Sequence, residues 1–267
     1  VETVAKIQSI ESKLKKVETV YTLDVDFGRA APADIRDLNG LGELLDTDWC
    51  ILVGMDMHDP MAVRGKARTI LTVIAKGLPG SKSTPHLVNI ATAAPKYVYF
   101  LLCLYDNQDH TINIMKELLD QLNDEYEGID SMCAERYGSW DFASWAEERD
   151  IPFEPIFPNY DRQRACFKEL YIVMNEGRFK TPTVPVLGSK TEDILREEMS
   201  VFDHDPDVRW FGSPEKTEKY GIQDDSIYSI GWGLYGGRDL GIDDFRIRRS
   251  MLSFGAHSPG HVTLGAY

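Results

Sequence analysis

The chain has 267 residues, 43% of them hydrophobic, enough to bury a core in one large domain or two small ones. Forty-three acidic residues against 29 basic ones leave a formal net charge of −14. That balance excludes a protein whose whole surface grips nucleic acid, because phosphate contacts need Lys and Arg, while one basic groove, or an acidic site holding divalent cations, stays open.

Because the chain opens on Val1 rather than Met, it is expected to be a piece of something longer. The N-terminal stretch "KIQSIESKLKKVE" lacks the apolar h-region of a signal peptide, and no apolar run approaches the length of a membrane span. Cys50, Cys103, Cys133 and Cys166 are scattered without a CxxC pair, which fits a reduced intracellular protein better than a disulfide framework or zinc site.

Residues 1–47 read as an N-terminal extension: a short polar helix, a strand-like "YTLDVDFG", then loop and helical turns. From Trp49 the pattern changes. "WCILVGMDM" is an apolar run containing Asp56, consistent with a buried strand. "ARTILTVIAKG" (67–77) predicts a second strand and "YVYFLLCLYD" (97–106) a third, separated by the polar loop "LPGSKSTPH". Residues 111–126 carry Ile112, Met115, Leu118, Leu119 and Leu122 at helical spacing, with Asp109 as N-cap. "GIDSMCAE" (128–135) predicts a fourth strand ending on Glu135. A short helix in "SWDFASWAEERD", a Pro-interrupted strand in "IPFEPIF", and helices over 161–177 and 190–203 follow. The last helix opens on Asp224 and Asp225. Strands followed by alternating helices and strands predict an α/β domain over 48–240, a mixed sheet covered by helices, with a tail over 241–267. Strands two and three are close enough to pair antiparallel, and the later crossovers favour parallel pairing.

Three acidic positions stand out. Asp56 closes the first strand, Glu135 closes the fourth, and Asp224/Asp225 open the last helix. Each has an ordinary explanation: a turn former before "HDP", a surface acid paired with Arg136, and a helix cap. If the first and fourth strands are parallel neighbours, Asp56 and Glu135 emerge at one sheet edge, where a crossing helix can deliver the aspartate pair. Carboxylates gathered in this way repel unless a hard, oxygen-liking cation such as Mg²⁺ or Mn²⁺ neutralises them. "LDVDFG", with Asp24 and Asp26, is a rival for the first strand, but no strand pair follows it directly.

"ILVGMDMHDP", the strand pair after it, "IDSMCAERYGSWDFASWAEERDIPFEPIFP", "KELYIVMNEGRFKTP", "ILREEMSVF" and "DDSIYSIGWG" together resemble the C-terminal nuclease domain of the large terminase subunit of tailed phages and herpesviruses, over about residues 47–237. The resemblance implies an RNase H-like fold shared with RuvC resolvases. It also implies endonucleolytic cutting of double-stranded DNA with two divalent ions, Mg²⁺ or Mn²⁺, held by Asp56, Glu135 and Asp224 or Asp225, with Asp59 as a further candidate. The partners it implies are an ATPase domain of the same polypeptide, a portal and a small terminase subunit, inside a host cell's cytoplasm or nucleus. "GSKST" (80–84) lacks the glycine spacing and strand-to-helix setting of a phosphate loop, so ATP-driven translocation is not assigned. Arg64, Lys66, Arg68 and Lys76, and Arg162, Arg164 and Lys168, are candidates for tracking a DNA backbone, with solvated faces as the ordinary reading. The alternative functions are a non-catalytic RNase H-like docking or scaffold module and a stand-alone junction resolvase.

Overall fold

Strand β1 (Leu45–Asp56) is apolar on both faces from Trp49 to Met55, and the alternation of those side chains divides the molecule into layers. Trp49, Ile51, Val53 and Met55 enter one hydrophobic cluster, whereas Cys50 and Leu52 enter another on the opposite face. The computed structural model describes residues 45–57, 68–79, 96–107, 112–135, 140–176, 178–180, 194–218, 221–244 and 246–247. The first cluster is covered by α1 (Ile112–Glu125) and α2 (Trp140–Glu147), the second by α3 (Tyr160–Asn175), α4 (Ile194–Val201) and α5 (Asp225–Gly236). The result is a sheet between two helical layers.

The other long strands are β2 (Thr69–Pro79) and β3 (Val98–Asn107), followed by the shorter β4 (Ser131–Glu135) and β5 (Phe153–Ile156). They lie in the order β5–β4–β1–β2–β3, and β6 (Phe179–Lys180) extends the β3 edge. β1 pairs with β2 and β2 with β3 antiparallel, while β4 is parallel to both β1 and β5. Among these five strands β2 alone runs against the others, which is the RNase H-like arrangement. A small hairpin of β7 (Asp203–Asp205) and β8 (Trp210–Gly212) stands apart, with His204 stacked on Phe211 at 4.0 Å. β9 (Arg246–Ile247), within the stretch expected as a tail, pairs with β1 at Asp48 and Trp49.

Helix α5 lies across the centre of the sheet at backbone distance. A Cβ placed on Gly54 would stand 1.9 Å from the Ser229 carbonyl oxygen and 2.5 Å from the Gly233 nitrogen, so only glycine permits this approach. The contact is reinforced by Ser229 Oγ, which donates to the Gly54 carbonyl at 2.9 Å and lies 3.0 Å from Thr72 Oγ1. At the start of β4, Asp130 accepts a 2.6 Å bond from the Ile51 amide and returns one from its own amide to the Ile51 carbonyl at 2.9 Å, fixing the parallel register.

All four cysteines are buried and free. The expected N-cap Asp109 and the residues 1–44, including Asp24 and Asp26, lie outside the described residues.

Candidate active site

The parity that sorts the core also aims the acids. Asp56 shares its side of β1 with Leu52 and Gly54, the side on which α5 lies. On β4, Met132 and Ala134 face the first cluster and Cys133 the second, so Glu135 turns toward α5 as well. Met55 stands opposite Ala134 in the parallel register, hence Asp56 and Glu135 leave adjacent strands at the same end. Burial, then the charges of Glu135, Asp225 and Asp224, hold Asp56 well above the ordinary carboxylate range.

Helix α5 brings the aspartate pair to this end of the sheet and gives its members different work. Asp225 is the first residue of the helix and is buried; its Oδ2 accepts a 2.9 Å bond from the Arg68 amide, just ahead of β2. Burial pushes Asp225 up to about 7, with the adjacent Asp224 charge adding to the rise and the Arg68 amide opposing it. Asp224 holds the N-cap position without a side-chain capping bond. Its Oδ2 instead accepts from the Ser213 amide at 2.7 Å and from the Lys216 ammonium at 3.3 Å. Glu135 is pushed up to about 7 by burial, against the bond its Oε1 accepts from the Trp232 indole N–H at 3.3 Å.

Three participants were not foreseen. Lys216, with a side chain 42% exposed, pairs with Asp224; burial opposes its charge, but the surrounding aspartates raise it above its ordinary value. Trp232 steadies Glu135. Glu198, wholly buried on α4, accepts from the Ser226 amide at 2.7 Å and from Ser226 Oγ at 2.5 Å, with Arg68 Nη2 at 3.5 Å. Burial and then the Asp225 charge push it up to about 8. Glu198 did carry a sequence signal: it occupies the apolar stripe Ile194, Leu195, Glu198, Met199 of α4.

Among the described residues, no group of three or more His, Cys, Asp or Glu side chains stands close enough in this conformation to hold one metal ion. In chemistry the donors nevertheless suit a hard cation: they are all carboxylate oxygens at one end of the sheet, Asp225 buried and Asp56 and Glu135 half-buried, and desolvation raises all three. No described residue donates a hydrogen bond to the Asp56 carboxylate. Asp225 suits a cation better than Asp224, whose carboxylate is already taken by an amide and an ammonium.

Of the other candidates, Asp59, Arg64 and Lys66 lie outside the described residues, as does Arg136, the ordinary partner suggested for Glu135. Lys76 is corrected: it is 1% exposed, and its ammonium donates to the carbonyls of Gly237 at 2.8 Å and Leu240 at 2.6 Å beneath the Tyr97 ring. It closes the end of α5 and has no path to a DNA backbone. Arg68 is occupied at the site by Glu198. Arg162, Arg164 and Lys168 are exposed on α3, and no contact joins them to the four acids among the described residues.

No protein-family model and no curated protein matches the chain. Among solved structures it is similar to the large terminase nuclease of thermophilic phage G20c, at 14% identity and a TM-score of 0.49 over 85% of this chain and 97% of that one. Crystals of that nuclease have also been described with magnesium, cobalt and zinc bound. It is similar too to the Thermus phage P74-26 large terminase nuclease domain (16% identity, TM-score 0.45, 84% and 93% covered). The HK97 bacteriophage large terminase aligns at 10% identity and a TM-score of 0.47, over 77% of this chain and 43% of that one. The RNase H-like order of the sheet stands on its own strand pairing, with β2 alone reversed among the five.

Proposed function

We propose that the chain is a metal-dependent endonuclease that hydrolyses double-stranded DNA. The observation that carries this reading is the convergence of Asp56, Glu135 and Asp225, delivered by three separate elements to one end of the sheet, all three raised by burial and Asp56 further by its two partners. Two divalent ions, Mg²⁺ or Mn²⁺, would be held by Asp56, Glu135 and Asp225, with Asp224 available once Lys216 releases it. When bound, such ions activate water and stabilise the leaving oxygen of a phosphodiester.

The chain's own residues prepare that site. The Arg68 amide fixes one oxygen of Asp225, and the Trp232 indole fixes one oxygen of Glu135. Lys216 supplies positive charge to Asp224 and lowers Asp56 and Glu135, keeping the acids together while no cation is bound. Contacts to the DNA backbone rather than to base edges would give limited sequence preference. The packaging setting follows from the sequence resemblance: an ATPase domain in the same polypeptide, a portal and small subunit as partners, and work inside a host cell.

Plasmid cleavage tests the reading. Purified protein with supercoiled DNA should nick and linearise it in Mn²⁺ or Mg²⁺ and not in EDTA, and Asp56→Asn or Glu135→Gln should abolish the reaction. Cleavage that survives both substitutions would overturn the assignment. The separation of the acids in this conformation favours one other reading, a docking module whose acids are structural. A wild-type protein that neither cuts DNA nor binds Mn²⁺ in titration would establish that reading instead.

A further inference from the structure

The first turn of α5 presents amide groups that need acceptors from outside the helix. Asp224 stands where a capping side chain is expected, yet its backbone (φ −137°, ψ 9°) is not the extended conformation of a capping residue, and its carboxylate is turned to Ser213 and Lys216. The acceptor comes from another helix. Glu198, 28 residues upstream on α4, takes both the amide and the hydroxyl of Ser226 on one oxygen.

We propose that Glu198 is a positioning residue for Asp225: by capping α5 from α4 it leaves the aspartates to the site and holds Asp225 in place from two directions. The inference rests on the metal-site reading above. Both partners of Glu198 adjoin Asp225. Ser226 is its neighbour in the chain, and Arg68, whose guanidinium lies 3.5 Å from Glu198 Oε1, donates its own amide to Asp225 Oδ2 at 2.9 Å. Glu198, Ser226, Asp225 and Arg68 therefore form a closed circuit, and removing Glu198 loosens it on both sides.

The position itself argues for a purpose. Glu198 is 0% exposed among Ile194, Leu195 and Met199, where an aliphatic side chain would pack without desolvating a carboxylate. Its Oε1 has no hydrogen-bond partner, so the residue is not there to saturate its own bonding. What the acid provides that leucine does not is the pull on Ser226 and on Arg68.

Mn²⁺ titration by calorimetry on the full chain, with a parallel metal-free melt, tests this. Glu198→Ala should weaken Mn²⁺ binding by about 10- to 100-fold, the effect of losing a residue that orients a ligand. Glu198→Gln, which keeps an acceptor for Ser226 but not the charge for Arg68, should weaken it by roughly three- to tenfold. In an Asp225→Asn background the further change from Glu198→Ala should stay within about twofold, because coupled residues are not additive. A lowered melting temperature with unchanged Mn²⁺ affinity would show a structural cap and overturn the proposal, as would an equal loss of affinity in both backgrounds. If Glu198→Ala does not fold, wild-type affinity in Glu198→Gln overturns it alone. Wild-type protein that binds no Mn²⁺ removes the metal-site reading and this inference together, whereas normal wild-type binding with indifferent Glu198 variants removes only the inference.

Discussion

Gly54→Ala is the sharpest single perturbation of this architecture. The added Cβ would meet the Ser229 oxygen at 1.9 Å, the Gly233 nitrogen at 2.5 Å and the Gly233 Cα at 2.9 Å. All three are backbone atoms, so no side chain can rotate away. Reaching ordinary contact near 3.4 Å requires α5 to rise from β1 by roughly 1.5 Å, and Asp225, one turn from Ser229, moves with it. Overpacking of this kind costs about 3 kcal/mol, which lowers the melting temperature by roughly 6–12 °C for a chain of this size. A displacement of that order at reacting groups lowers turnover by about 100-fold. Gly231→Ala is the comparator, because its Cβ meets Cys166 Sγ at 2.4 Å and the Phe167 ring at 3.2 Å, both on α3. It should lower the melting temperature without opening the α5–β1 contact and keep Mn²⁺ affinity within about twofold. Differential scanning fluorimetry, plasmid cleavage and Mn²⁺ titration calorimetry read these effects. A Gly54→Ala protein with wild-type melting temperature and cleavage rate would refute the reasoning.

Three further outcomes are expected. Glu135 and Asp225 stand near 7 in the metal-free fold against ordinary values of 4.5 and 3.8, so the folded state binds more protons than the unfolded chain. Their contribution to stability is therefore full below about pH 4 and lost as pH rises through about 7; melting in EDTA should fall across that window, and the fall should shrink in Glu135→Gln/Asp225→Asn. Lys76→Ala leaves the Gly237 and Leu240 carbonyls without their donor and should cost about 2–4 kcal/mol in denaturant titration, while DNA affinity in a fluorescence anisotropy assay stays unchanged. Trp232→Phe removes the indole bond that lowers Glu135, so protons compete better for that carboxylate. Mn²⁺ affinity should drop at pH 6.5 and recover toward wild type at pH 8.5 in titration calorimetry.

The strands were legible because burial on both faces writes itself as continuous apolar runs. Cys50-to-Met55 and Met132-to-Ala134 also carry the parity that turns Asp56 and Glu135 to the same side. The short strands β6 to β9 were missed, since two or three residues show no period. The helix expected over 190–203 is described only over Ile194–Val201, with β7 beginning at Asp203. Lys76 misled for a plain reason: a lysine on a strand is normally solvated, and what buries this one is a pair of carbonyls about 160 residues further on. Adjacent aspartates look equivalent in sequence. Only the turn holding Ser213 and Lys216 separates Asp224 from Asp225, and it makes that distinction through space.

Helix α5 carries acids at its first turn and receives the Lys76 ammonium at its last carbonyls, so both ends match the helix macrodipole. The partial positive charge at its N-terminus steadies Asp224 and Asp225 when nothing else neutralises them. That same partial charge opposes any cation drawn to them. Any ion held on such a terminus would therefore exchange readily rather than stay as a permanent fixture.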